Sequence, residues 1–173
     1  MRNLEAKFRL ADLARARTRA EAIGLVYAAT LIQRDTFFAV PHGKLKLREE
    51  ADGAVLIHYQ REDARGFELS NYTIVRLTDA ATTRAMLASA LGVIAEVRKR
   101  RTLLLRDNIR FHLDEVEQLG AFGEIEIVLA AEDDATASHA ALGAILDALE
   151  VRTADLIGVS YFELMGQRRP PPV

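Results

Sequence analysis

The sequence has no cysteine and no tryptophan, and only four prolines and 6% aromatic residues among its 173 residues. Without cysteine there is no disulfide scaffold, no thiolate zinc site and no redox dithiol, which suits a reducing cytoplasm. Long apolar runs are missing as well. No stretch approaches the roughly 18 residues of a membrane span, and Met1-Arg2-Asn3-Leu4-Glu5 puts charge where the apolar run of a signal peptide would begin. Charge of one sign is not in excess: 23 Lys and Arg stand against 25 Asp and Glu, a formal net charge of −2. That balance argues against general attraction to nucleic acid or a membrane surface. What is present is 50% hydrophobic and 28% charged residues, the balance of a folded chain, at a length that encloses one core in one domain.

Residues 3–10 alternate strictly, with Leu4, Ala6, Phe8 and Leu10 on one face and Asn3, Glu5, Lys7 and Arg9 on the other. Period two predicts a strand. Asp12 reads as the N-cap of a helix over 13–22 that Gly24 stops. Two strands are expected at 25–32 and 36–40, separated near Arg34-Asp35. Pro41-His42-Gly43 turns the chain into a strand at 44–48, and Ala51-Asp52-Gly53 into another at 55–61. The polar stretch 62–68 reads as a loop and 72–77 as a strand, and Asp79 caps a helix ending at Gly92. Strands follow at 93–105 and 109–114 around Asp107-Asn108, and a loop around Gly120 and Gly123 leads to a strand at 124–129. Asp133-Asp134 starts a helix over 135–149, and a short helix is expected at 155–165. Residues 167–173, with three consecutive prolines, read as a disordered tail to a single domain at 1–166. About eight strands joined by short turns predict an α+β fold, an antiparallel eight-stranded β-barrel with helices packed around it. A barrel of that size can hold a small ligand.

The charges are sorted by sign along the strands. Lys44, Lys46 and Arg48 share one face, Lys99 and Arg101 another, and Glu124 and Glu126 a third. Alternation of apolar and charged residues describes any antiparallel sheet with one wet face. Like charges side by side destabilise a sheet, however, so solvated faces usually mix signs. Clustered Lys and Arg become tolerable around a polyanion such as phosphate, and clustered carboxylates around a hard cation such as Mg²⁺. The combination points to a metal–polyphosphate site. Single-stranded nucleic-acid binding would want aromatic stacking platforms among the cations, and few aromatics lie in the basic register.

Several motifs occur in a telling order: Asn3-Leu4-Glu5-Ala6-Lys7, Asp35-Thr36-Phe37-Phe38, Lys44-Leu45-Lys46-Leu47-Arg48 and Tyr59-Gln60-Arg61. They continue with Val97-Arg98-Lys99-Arg100-Arg101, Arg110-Phe111-His112-Leu113-Asp114 and Leu119-Gly120-Ala121-Phe122-Gly123-Glu124-Ile125-Glu126. In this order, from residue 3 to about residue 165, the chain resembles the CYTH superfamily, the triphosphate tunnel metalloenzymes, which includes class IV adenylate cyclases and thiamine triphosphatases. The resemblance implies a tunnel with inward charged faces. Glu5, Asp114, Glu124 and Glu126 match the family's acids for Mg²⁺ or Mn²⁺. Lys7, Lys46, Arg48, Arg61, Lys99 and Arg101 match the basic residues that line the tunnel and hold the triphosphate. Of these, Lys7, Lys99 and Arg101 are expected to be catalytic; Lys44 and Arg110, in register with the set, join Lys46, Arg48 and Arg61 in binding substrate. Arg9 is expected near a tunnel mouth.

One position departs from the pattern: Asn3 stands where the E-x-E-x-K hallmark has its first Glu. An amide oxygen can ligate a metal but supplies no negative charge, so a second ion should bind more weakly. The implied function is a metal-dependent enzyme acting on a triphosphate, as an adenylate cyclase or a triphosphate hydrolase. The alternative is a non-catalytic nucleotide- or polyphosphate-binding protein of the same fold. The expected partner is ATP, inorganic triphosphate or thiamine triphosphate, with no nucleic acid and no membrane, a homodimer remaining open and the location cytoplasmic. His112 is read as a hydrogen-bonded spacer more than a proton shuttle, and Tyr161 as packing over the barrel end.

Overall fold

The alternation of β1 (Arg2–Arg9) serves two interiors at once. Leu4, Ala6 and Phe8 are buried outside the barrel wall, in a cluster with Ala16 and Ala20 of α1 (Leu13–Ala22) and Leu142, Ile145 and Leu146 of α3 (Ala135–Ala148). Asn3, Glu5 and Lys7 are buried on the inside. This hydrophobic cluster therefore lies between wall and helices, where each fully buried Leu or Phe contributes about 1.5–3 kcal/mol, and the charged side chains face the barrel's own interior beside apolar ones such as Ile57 and Val97.

The computed structural model describes residues 2–64, 67–130 and 135–167, giving the backbone alone at 61–64, 67–68, 135–136 and 167. After β1 and α1 the chain runs through β2 (Val26–Phe38), β3 (Lys44–Glu50), β4 (Gly53–Ala64), β5 (Phe67–Leu77), α2 (Ala80–Leu91), β6 (Val93–Arg106), β7 (Ile109–Val116), β8 (Gly120–Leu129), α3 and α4 (Tyr161–Gln167). The strands close in the order β1-β5-β4-β3-β2-β6-β7-β8, every neighbouring pair antiparallel. This is the α+β, eight-stranded antiparallel barrel with surrounding helices that the alternation predicts. Asp12 and Asp79 cap α1 and α2 by accepting from the backbone N–H of Arg15 and Thr82, as expected of Asp at an N-cap. Among the described residues no helix is long and apolar enough to cross a membrane.

Four local expectations are corrected. The break near Arg34-Asp35 does not occur: β2 is one strand, with Asp35 inward between Gln33 and Phe37, and a polar pair interrupts nothing when the inward face is itself polar. The loop expected at 62–68 is largely ladder, with Glu62 opposite Leu69 and Ala64 opposite Phe67; backbone pairing needs no apolar side chains. Gly123 is not in a loop but inside β8 opposite Phe8, where a Cβ would lie 2.4 Å from the phenylalanine ring. The helix expected at 155–165 divides into a 3-10 turn at Thr153–Asp155, an irregular stretch and α4. The stretch is held because Ile157 N–H donates to the Lys7 carbonyl at 2.7 Å. Asp133-Asp134 and the tail at 168–173 lie outside the described residues.

The α4 segment closes one end of the barrel. Tyr161 and Leu164 pack with Phe37, Tyr59, Val97 and Phe122, and Glu163 accepts from both the N–H and the hydroxyl of Ser160 to start the helix.

Candidate active site

Because many inward positions of successive strands are charged, the barrel holds a cavity of about 310 Å³ lined by charged and apolar side chains together, within the range of small-molecule sites. Two sides can be distinguished. Lys46 and Arg48 reach it from β3 and Lys99 and Arg101 from β6, while Glu5 of β1, His112 of β7 and Glu124 and Glu126 of β8 line it elsewhere, with Lys7 between. Strand register places them: Glu5 stands opposite Glu126, and Glu124 opposite both Lys7 and His112.

On the cationic side, among the described residues, Arg48 and Arg101 are each held by a buried carboxylate. Arg48 donates through Nε and Nη2 to the two oxygens of Asp35, at 2.7 Å each, and Lys46 donates to the same carboxylate at 3.2 Å. Arg101 grips Asp114 at 2.7 and 2.6 Å and reaches Glu124 at 2.7 Å. Such forked pairs fix a guanidinium in orientation, and they offset the cost of burying each charge. Burial pushes Asp35 up, but Arg48 and Lys46 outweigh it and hold its carboxyl well below the usual range. For the lysines the balance falls the other way. Burial and the nearby Arg48 push Lys46 down to about 8 despite Asp35, and burial with Arg101 brings Lys99 to about 7 despite Asp114.

On the acidic side, Glu124 forms a 2.8 Å ion pair with Lys7; Lys7 and a hydrogen bond with His112 overcome burial and keep this carboxyl well below its ordinary value. His112 Nδ1 lies 3.4 Å from Glu124 Oε2 and 3.6 Å from Glu126 Oε1. Asn3 donates its amide to Glu126 Oε2 at 3.2 Å and accepts from the Tyr72 hydroxyl. Glu5 accepts from Ser70 at 3.0 Å.

The structure brings Glu5, Lys7, Lys46, Arg48, Lys99, Arg101, Arg110, Glu124 and Glu126 to this cavity. Arg110 sits at its rim, 3.7 Å from Glu126 and with 42% of its side chain exposed. Asp114 is not in the lining: it stands behind Arg101, fully buried, and accepts a further hydrogen bond from Tyr161 at 2.8 Å. Lys44 is drawn instead to the α4 end, paired with Glu163 at 2.8 Å. Arg9 lies over the Phe122 ring, outside the cavity lining. The Arg61 side chain lies outside the described residues.

Two contributors escape sequence reasoning. Asp35, in the motif Asp35-Thr36-Phe37-Phe38, anchors Arg48 and Lys46; an acid at an inward position opposite a basic strand is the available signal. Tyr161 does more than pack, since its hydroxyl bonds Asp114 and its ring lies 4.8 and 5.1 Å from the ammoniums of Lys7 and Lys99. Nothing local in the sequence points a C-terminal tyrosine into a barrel.

Comparison with known proteins bears on the family and the fold. The family model for the CYTH domain matches residues 1–161. Among solved structures, the PH1012 protein from Pyrococcus horikoshii is 21% identical over 94% of this chain and 98% of its own, with a TM-score of 0.85. A candidate adenylate cyclase from Vibrio parahaemolyticus is 20% identical, covering 95% and 97% with a TM-score of 0.77. The HpAC1 protein from Hippeastrum, described as having a dominant triphosphatase activity, is 16% identical, covering 98% of both chains with a TM-score of 0.68. At these identities the likeness is one of fold. Among curated proteins none matches this chain.

Proposed function

Because the chain belongs to the CYTH domain family, we propose that it is a metal-dependent enzyme acting on triphosphate-bearing small molecules in the cytoplasm. The observation that carries this reading is the convergence of Lys7, Lys46, Arg48, Lys99 and Arg101 on one cavity that Glu5, Glu124 and Glu126 also line. Phosphoryl and nucleotidyl transfer ask a protein for positioning and charge neutralisation more than for covalent chemistry, and both are available here. Arg48 and Arg101, pre-oriented by Asp35 and Asp114, present fixed donors to a phosphate chain with little further ordering. Lys7 and Lys99 lie where charge on a reacting phosphoryl group would be stabilised. Lys99, near 7 in the free protein, can also give a proton to a departing oxygen.

The donor set fits a divalent cation, since carboxylate oxygens from neighbouring strands face one space. A bound Mg²⁺ or Mn²⁺, held by Glu5, Glu124 and Glu126, would neutralise charge and polarise a phosphoryl oxygen. A second reading, binding without turnover, is favoured by Asn3, whose amide donates to Glu126 at the position where a carboxylate would add charge.

Product analysis decides among these. Pure protein is incubated with Mg²⁺ or Mn²⁺ and, in parallel, ATP, inorganic triphosphate and thiamine triphosphate. Cyclic AMP with pyrophosphate identifies a cyclase and orthophosphate a hydrolase. No product, with thermal stabilisation by triphosphate, supports the binding protein; neither product nor stabilisation overturns the reading.

A further inference from the structure

His112 is the one cavity-lining group among the described residues that offers an imidazole nitrogen. Its side chain is 6% exposed, and Nδ1 is directed at the acidic pair, 3.4 Å from Glu124 and 3.6 Å from Glu126. One ligand atom from each of the three residues can be chosen so that all lie within 4.8 Å of one another. Two ligands about 2.1 Å from an ion, on neighbouring octahedral positions, stand about 3 Å apart. The two imidazole–carboxylate separations therefore need only a few tenths of an ångström of closure, and rotation of the carboxylates brings the set, now within 4.8 Å, onto one ion. Glu126 Oε1 is turned to the imidazole while Oε2 accepts from Asn3.

From this donor set we infer that His112 is a metal ligand and that the site takes a first-row transition cation such as Mn²⁺ in preference to Mg²⁺. The inference rests on the metal-dependent reading above and narrows it to a class of ion. Mg²⁺ demands oxygen ligands and gains little from an imidazole. Affinity for nitrogen donors rises along the first transition row, so an imidazole added to the carboxylates of Glu5, Glu124 and Glu126 discriminates by donor type. Asn3 acts in the same direction. Its side chain turns N–H to Glu126 and its oxygen to Tyr72, so it adds no anionic oxygen of the kind that would favour the harder ion. Lys7 holds Glu124 through Oε1, and Arg101 through Oε2, the oxygen nearest the imidazole, so the carboxylate approaches the ion already oriented, which is what outer-shell partners do for a ligand.

The test is electron spin echo spectroscopy on Mn²⁺ bound to the full-length protein, with and without inorganic triphosphate. The result expected is ¹⁴N modulation from a coordinated imidazole, lost in His112→Gln. Mn²⁺ titration followed by the free-ion signal, with Mg²⁺ as competitor, gives affinities. Since even outer-shell substitutions weaken metal binding by about 10–100-fold, H112Q should cost at least about tenfold for Mn²⁺ and leave Mg²⁺ nearly unchanged. H112N, shorter and also without the imidazole, should behave alike, and circular dichroism verifies that both variants fold. Mn²⁺ bound without nitrogen coupling overturns the ligand role of His112 and leaves the functional reading standing. Equal loss of Mn²⁺ and Mg²⁺ affinity overturns the selectivity. Failure of wild-type protein to bind Mn²⁺ under any condition overturns both the inference and the reading it rests on.

Discussion

Asp35 accepts two 2.7 Å hydrogen bonds from Arg48 in a barrel interior where the aspartate is 2% exposed. The pair explains how the barrel tolerates a basic interior: a carboxylate on the neighbouring strand supplies part of the counter-charge that a bound polyanion would otherwise provide. Breaking such a buried pair by removing one partner costs about 3–5 kcal/mol. Asp35→Asn should therefore lower stability by roughly that amount. Because a ligand that binds the folded state stabilises it, and its phosphates restore the missing negative charge, inorganic triphosphate should raise the melting temperature of Asp35→Asn more than that of the wild type. Equal shifts would show that Arg48 does not face the ligand.

The buried lysines make binding depend on pH. With Lys46 at about 8 and Lys99 at about 7 in the free protein, both carry charge below pH 7 and lose it as pH rises through 7 to 8. A polyanion favours the charged forms and raises both values. Triphosphate affinity is thus expected to fall between about pH 7 and 9, and calorimetry at pH 8 in buffers of different ionisation enthalpy should register net proton uptake. Affinity that rises over this interval, or proton release, would contradict the assignment of these two groups to the ligand.

Tyr161 ties the helix that closes the barrel to the floor of the site. Tyr161→Phe keeps the ring beside Lys7 and Lys99 and deletes only the 2.8 Å bond to Asp114. A hydrogen bond to a charged group is worth about 1.5–3 kcal/mol, and chemical denaturation should show a loss in that range. A loss near zero would mean that Arg101 alone satisfies Asp114.

Gly123 reports on the outer core. Its replacement by Ala drives a methyl group into the Phe8 ring, and overpacking of this kind costs about 1–3 kcal/mol. Denaturant midpoints should fall accordingly while triphosphate affinity is retained, because Phe8 points away from the cavity. Unchanged stability would mean that the β1–β8 ladder gives way without cost.

What was legible in the sequence follows from period two. Asn3, Glu5 and Lys7 against Leu4, Ala6 and Phe8 announce a two-sided strand, and the sign-sorted faces of β3, β6 and β8 announce a charged interior. Caps are legible because Asp12 and Asp79 act on backbone three residues away. Partnership across the barrel is not local, and residue spacing carries no trace of it. Nothing in the spacing of Asp114 says that Arg101 and Tyr161 occupy it, or that Lys44 turns to Glu163 on α4. Gly123 reads as a turn in the sequence because glycine's other use, close approach by a ring from the next strand, is visible only once β1 and β8 are paired.

The central claim, that this cavity binds a triphosphate through its cationic wall, is tested most directly by titrating inorganic triphosphate into wild-type protein and into Lys46→Met. The substitution leaves the Asp35–Arg48 fork intact and removes one ammonium donor from the cavity. A charge-assisted hydrogen bond of about 1.5–3 kcal/mol corresponds to an affinity loss of about tenfold or more, and that loss is the predicted result, with the fold unchanged by circular dichroism. Equal affinity of the two proteins, or no binding by either, would contradict the account.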